Sequence, residues 1–98
     1  MKHTKIKALL ESSEVGGKVI VKGWVRAFRS NRFIQINDGS TINNIQAVIE
    51  YENFDEVLLK KVNTAAAIEV RGTLVESEGK GQAFEIVVDS LEILGEAN

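Results

Sequence analysis

Three side chains stand where strand periodicity turns them away from a core: Phe33, Gln46 and Glu85. In FIQIN (Phe33–Asn37), Ile34 and Ile36 share one face of an extended segment, and Phe33, Gln35 and Asn37 share the other. The isoleucines claim the core, which leaves Phe33 as an aromatic on a polar face. An exposed ring beside cations is what stacking on an unpaired base requires, an interaction of about 1–3 kcal/mol per base. The same ring would equally serve to pack beneath a connecting loop or the N-terminal segment. In IQAVIE (45–50), Ile45, Ala47 and Ile49 point inward and Gln46 outward, on the side of Phe33 if the two strands pair. Its amide offers a donor and an acceptor, enough to read the Watson–Crick edge of an unpaired base; a solvated strand glutamine has the same pattern. Glu85 also faces outward. A carboxylate repels phosphate but accepts from base amino and imino groups, with guanine its natural partner, or it stands on an edge strand as a charge that discourages aggregation.

No catalytic set accompanies these residues. The single histidine, His3, lies near the terminus, no two carboxylates are placed to face one cleft, and no Ser-His-Asp pattern occurs. The GKG run (79–81) lacks the strand–loop–helix context of a phosphate-binding loop and reads as a hairpin. The absence of cysteine excludes disulfides, thiolate zinc sites and cysteine nucleophiles. Neither a long apolar run nor a signal peptide is present, so a soluble cytoplasmic protein with no membrane association is expected.

Charge is distributed unevenly. Residues 1–33 carry eight basic and two acidic side chains, a local charge of +6, whereas residues 34–98 carry four basic and twelve acidic ones, a local charge of −8. Such asymmetry suits polyanion binding, because binding follows a local basic footprint and not the overall −2; an ordinary solvated surface would also account for it. Lys22, Arg32 and Lys80 are the cations expected to attract phosphate.

The elements that must position these residues follow from period and punctuation. Ile6, Leu9 and Leu10 have helical spacing within 4–13, ahead of Gly16-Gly17. KVIVKGWVRAFR (Lys18–Arg29) alternates as a strand, with Gly23 suggesting a bulge or sharp bend. Ser30-Asn31 signals a turn and Asp38-Gly39 a hairpin. Residues 45–51 form a third strand. Residues 53–63 change to a helical period, with Asn53 as N-cap and Glu56 three residues on. Residues 67–75 and 83–94 complete five strands. Three strands, a helix, then two strands disfavour an alternating parallel sheet. They describe an all-β, five-stranded Greek-key barrel of the OB type, single-domain over 1–98, with a short N-terminal helix. That fold binds oligonucleotides or oligosaccharides on its strand 2–3 face.

GWVR (23–26), Arg29, Phe33, NDGS (37–40) and IQAVI (45–49) together resemble the N-terminal anticodon-binding domain of class II aminoacyl-tRNA synthetases for aspartate, asparagine and lysine. NDGSTINNIQ (37–46) and EGKGQAFE (78–85) most resemble the asparagine group, and the likeness runs over 17–95. The resemblance implies that Phe33 stacks on the central anticodon uridine, that Gln46 reads its edge, that Arg29 contacts the same region and that Glu85 reads a guanosine-type first base. The connection between Arg29 and Phe33 is about three residues shorter than the family's. Strand parity puts Arg29 in phase with buried Val25 unless the strand bulges or ends before it; otherwise Arg26 or Arg32 takes its place. The resemblance also implies a catalytic domain after Asn98, carrying ATP and Mg²⁺ and belonging to a homodimeric parent. The domain is then expected to bind the tRNA anticodon loop as the recognition part of that parent, with no cofactor in this chain and no aminoacylation of its own. A general single-strand-binding domain and a protein-interaction module remain the other two readings of the same face.

Overall fold

In this computed structural model the residues described are 4–11, 15–76 and 84–96. His3, Lys80 and the 79–81 hairpin lie outside them. The alternating apolar runs become β1 (Lys18–Arg29), β2 (Phe33–Asn37), β3 (Ile45–Val48), β4 (Ala67–Glu76) and β5 (Phe84–Gly95). They close into a barrel in the order β1-β2-β3-β5-β4, with β4 pairing back onto β1. All ladders are antiparallel except β3 with β5, which is parallel because the chain crosses over between β3 and β4. Closure leaves no long open edge, the difficulty that small sheets otherwise face. Ile34, Ile36, Ile45, Ala47, Val21, Val25, Ile68, Val70, Leu74 and Ile86 fill the interior.

β1 serves its two neighbours with different halves. β1 pairs with β4 over 18–24 and with β2 over 24–29. Gly23 sits at that exchange, where an added Cβ would stand 2.6 Å from the Asn37 carbonyl oxygen. Gly72 is tighter still: a Cβ there would lie 2.1 Å from the Val87 carbonyl oxygen. Both glycines are required by close backbone approach, which is how a small barrel turns its corners. The bulge of β1 itself lies beyond Gly23, between Val25 and Ala27, leaving Arg26 surplus.

Two short helices complete the core. α1 (Ile6–Glu11) buries Ile6 and Leu9. Its first turn is held by the β2–β3 turn: Ile6 N–H donates to Asp38 Oδ2 (2.8 Å) and Lys7 N–H to Ser40 Oγ (3.0 Å). Burial pushes the Asp38 carboxyl up, but hydrogen bonds from the Ser40 hydroxyl, Ile6 N–H and Ser40 N–H, with the charge of Lys5, outweigh it and hold the group below its ordinary value. The expected helix over 53–63 is shorter. A 3₁₀ turn, Tyr51–Asn53, ends β3 early, and α2 spans Glu56–Lys60. Asp55, not Asn53, is the N-cap, because its carboxylate accepts from Val57 N–H (2.8 Å) while Asn53 N–H is committed to the Glu50 carbonyl (2.9 Å). Leu59 and Val62 are buried, but Val57, expected on the apolar side, is 62% exposed.

Candidate nucleic-acid interface

Cross-strand register assembles the outer face of β1, β2, β3 and β5 into two rows. The first runs Arg29, Phe33, Val48, Val87; the second runs Ala27, Gln35, Gln46, Glu85. Neighbours along a row are directly opposed, and the rows lie two residues apart along each strand, roughly 7 Å. One row is therefore a cation followed by apolar surface, and the next is a line of amides ending in a carboxylate. A base lying against Phe33 and Val48 would present its edge to the adjacent polar row.

Arg29 reaches this face because of the Arg26 bulge. Val25 opposes Ile36 and both point inward; one surplus residue later, Phe28 opposes Ile34 and takes the inward position, so Arg29 opposes Phe33 outside. The short connection then turns on Ser30 and Asn31, both at positive φ (56° and 53°), with Arg32 N–H donating to the Arg29 carbonyl (3.1 Å). Positive φ at both central positions is the signature of the tight hairpin turn whose twist suits the strands.

Phe33 is half-buried, and the Arg32 guanidinium carbon stands 5.7 Å from its ring centroid. That is cation–π range, and Arg32 Nη2 also lies 3.8 Å from Glu50 Oε1. Gln35 Nε2 donates to Gln46 Oε1 (2.9 Å), and Gln46 Nε2 donates to Glu85 Oε2 (3.0 Å). Phe33, Gln46, Glu85 and Arg29 thus lie on one surface, with Arg26 exposed at the bulge and Arg32 at its margin. Lys22 does not join them. It lies on the β4 side of β1, opposite Glu69, with Nζ 3.7 Å from Glu69 Oε1. The register shows Gln35, Val48 and Val87 as further members of the face. Parity alone gives the side a residue occupies, but only pairing gives its neighbour.

The run 37–44 behaves differently from its neighbours. Asn37 Nδ2 donates to the carbonyls of Thr41 (3.0 Å) and Asn43 (3.2 Å) and to Asn44 Oδ1 (3.1 Å), and Asn37 Oδ1 accepts from Gly39 N–H (2.8 Å). Its polar side chains hold the loop and cap α1, and Ile42, 96% exposed, stands clear of it. A cleft of about 430 Å³ lies elsewhere, between Phe28, Asn31, Tyr51, Lys60 and Asn63. None of the sequence-predicted site residues lines it. Also among the described residues, no group of three or more His, Cys, Asp or Glu is placed to hold a metal, and no helix is long and apolar enough to cross a membrane.

Residues 19–94 match the tRNA anti-codon family, described as an OB-fold nucleic acid binding domain. The chain belongs to that family. It is 50% identical over 96 residues to the asparagine–tRNA ligase of Phocaeicola vulgatus, an alignment that takes in 95% of this domain and 21% of the ligase. The domain thus spans about a fifth of the length of the curated relatives it matches. Among solved structures it resembles the Entamoeba histolytica asparaginyl-tRNA synthetase in complex with asparaginyl-adenylate (TM-score 0.75, 26% identity, 90% of this domain and 22% of that chain). An OBody bound to hen egg-white lysozyme shares the fold over nearly its whole length (TM-score 0.79, 21% identity, 99% of this domain and 97% of that chain).

Proposed function

We propose that this OB-fold domain grips the anticodon loop of a tRNA within an asparagine–tRNA ligase. The observation that carries the reading is the pair of opposed rows: a stacking surface at Phe33 and Val48 lies directly beside a base-reading line through Gln46 to Glu85. The 50% identity to an asparagine–tRNA ligase supports asparagine over the aspartate and lysine alternatives. In this reading a middle uridine stacks on Phe33 and presents its edge to Gln46. Glu85 accepts from the first base. Arg29 and Arg26, with Arg32 at the margin, draw in the phosphates. Ligation itself, with ATP and Mg²⁺, falls to the part of the relatives' length beyond this domain, in a homodimeric cytoplasmic enzyme.

Fluorescence anisotropy with anticodon stem-loops tests it. Phe33→Ala weakens binding of the cognate stem-loop by about tenfold to a hundredfold, the scale of one lost base stack, and Gln46→Ala removes the preference for uridine at the middle position. Equal affinity of wild type and both variants for that stem-loop sinks the reading. Equal binding of every altered anticodon and of oligo-dT by the wild type favours a general single-strand binder instead.

A further inference from the structure

Gln35 has no role in the reading above, yet it forms one end of the polar row. Gln35, Gln46 and Glu85 are directly opposed on β2, β3 and β5, and their side chains are joined by hydrogen bonds of 2.9 and 3.0 Å. The direction of this line is dictated by chemistry. An ionised carboxylate only accepts, so Gln46 must turn its NH₂ towards Glu85. Its carbonyl then faces β2, where only a donor is acceptable, and Gln35 supplies its own NH₂. Reversing the Gln46 amide would set oxygen against carboxylate on one side and, with Gln35 kept as it stands, NH₂ against NH₂ on the other. On a half-buried surface both bonds would become repulsive contacts.

We propose that Gln35 and Glu85 together act as positioning residues that fix the amide polarity of Gln46, and that this polarity discriminates uridine from cytidine at the base stacked on Phe33. The selectivity half rests on the proposed role of Gln46, whereas the polarity half does not. Uridine presents a donor at N3 and an acceptor at O4; cytidine presents an acceptor at N3 and a donor at N4. The two edges are opposite in sense, so an amide held in one direction complements only one of them. An amide able to turn over complements both.

The test uses the domain, stem-loops differing only by uridine or cytidine at the middle anticodon position, and the variants Gln35→Ala, Gln35→Glu and the double variant Q35E/E85Q. Gln35→Ala removes the donor that faces the Gln46 carbonyl and narrows the uridine/cytidine affinity ratio about fivefold. Gln35→Glu sets two carboxylates against one NH₂ and narrows the ratio at least as far. Q35E/E85Q reverses the line, because the carboxylate at position 35 now takes the NH₂ and the amide at position 85 donates to the carbonyl. The ratio then shifts towards cytidine about tenfold from wild type. An RNA-free readout is the Gln46 side-chain NH₂ resonance, whose hydrogen-bond coupling to the carboxylate moves from position 85 to position 35 in the double variant. A wild-type ratio of one overturns the base-reading role of Gln46 and with it the selectivity half, leaving the resonance to decide polarity. A wild-type preference for uridine that all three variants retain overturns the selectivity half, and an unmoved coupling in the double variant overturns the polarity half.

Discussion

On the wall formed by β4 with the first half of β1 and the second half of β5, each cation stands against a carboxylate. Lys18 Nζ lies 2.7 Å from Asp89 Oδ2, and Lys22 Nζ and Arg71 Nε lie 3.7 and 3.0 Å from Glu69, which is only 7% exposed. On the face formed by β2, β3 and the neighbouring ends of β1 and β5, Arg26 and Arg29 have no carboxylate within ion-pair distance among the described residues, Glu85 is engaged with an amide, and Arg32 at the margin pairs with Glu50. The two surfaces put their charged side chains to opposite uses. The difference bears on the basic first third of the chain. A count of +6 over 1–33 overstates the footprint, because Lys18 and Lys22 are paired within the fold, and the exposed Lys18–Asp89 pair contributes only about 0–1 kcal/mol to stability.

The contrast breaks most sharply at Gly72. A methyl group added there would meet the Val87 carbonyl oxygen at 2.1 Å, so Gly72→Ala must push β4 and β5 apart. A loss of about 3 kcal/mol in chemical denaturation is expected from such overpacking, the strain falling where β4 of the paired wall meets β5 at Val87 of the binding face. A loss below about 1 kcal/mol would mean that the ladder yields easily there. Next in size is a matched pair of cation deletions. Arg29→Ala should weaken stem-loop binding about tenfold and lower the salt slope by about 0.7. Lys22→Ala should leave both unchanged, since its charge is already spent on Glu69; equal slopes for the two variants would erase the distinction between the surfaces. The smallest effect belongs to Asp38, which joins α1 to the edge of the binding face. Its carboxyl is depressed in the folded protein, so its ionised form stabilises fully above the ordinary carboxylate pKa, and that contribution is lost as pH falls through the folded value. Asp38→Ala is expected to cost about 1 kcal/mol at neutral pH, with the gap from wild type closing below about pH 4. A gap that stays constant with pH would show that the cap does not depend on ionisation.

Much of the barrel is legible in residue order. FIQIN forms a strand over the expected five residues, and Gly23 stands where β1 exchanges partners, because period-2 alternation and a missing side chain are local properties. Gly23 points to a bulge or bend in β1, but the positions of the bulges are not legible. Arg26 and Asp89 are surplus only relative to what their partner strands present, and nothing in their own strands announces it. The Gln35–Gln46 contact is hidden for the same reason, since it depends on register set across the 38–44 loop. The helix starts later than its pattern suggests because 53–55 offers two capping side chains, and the 3₁₀ turn decides between them. The run 37–46 marks kinship in the sequence; in the structure its asparagines and Asp38 hold the loop and the first helix, so its wording is a folding constraint as well.

The surplus residue at Arg26 acts on β1 as a reading frame acts on a message. Were Arg26 instead paired regularly, opposite Gln35, every later side chain of the strand would be translated onto the wrong surface: Phe28 would be offered to solvent and Arg29 delivered to the core. The phase of a single strand, set by one unpaired amino acid, thus decides whether this end of the barrel carries a cation beside its aromatic ring at all.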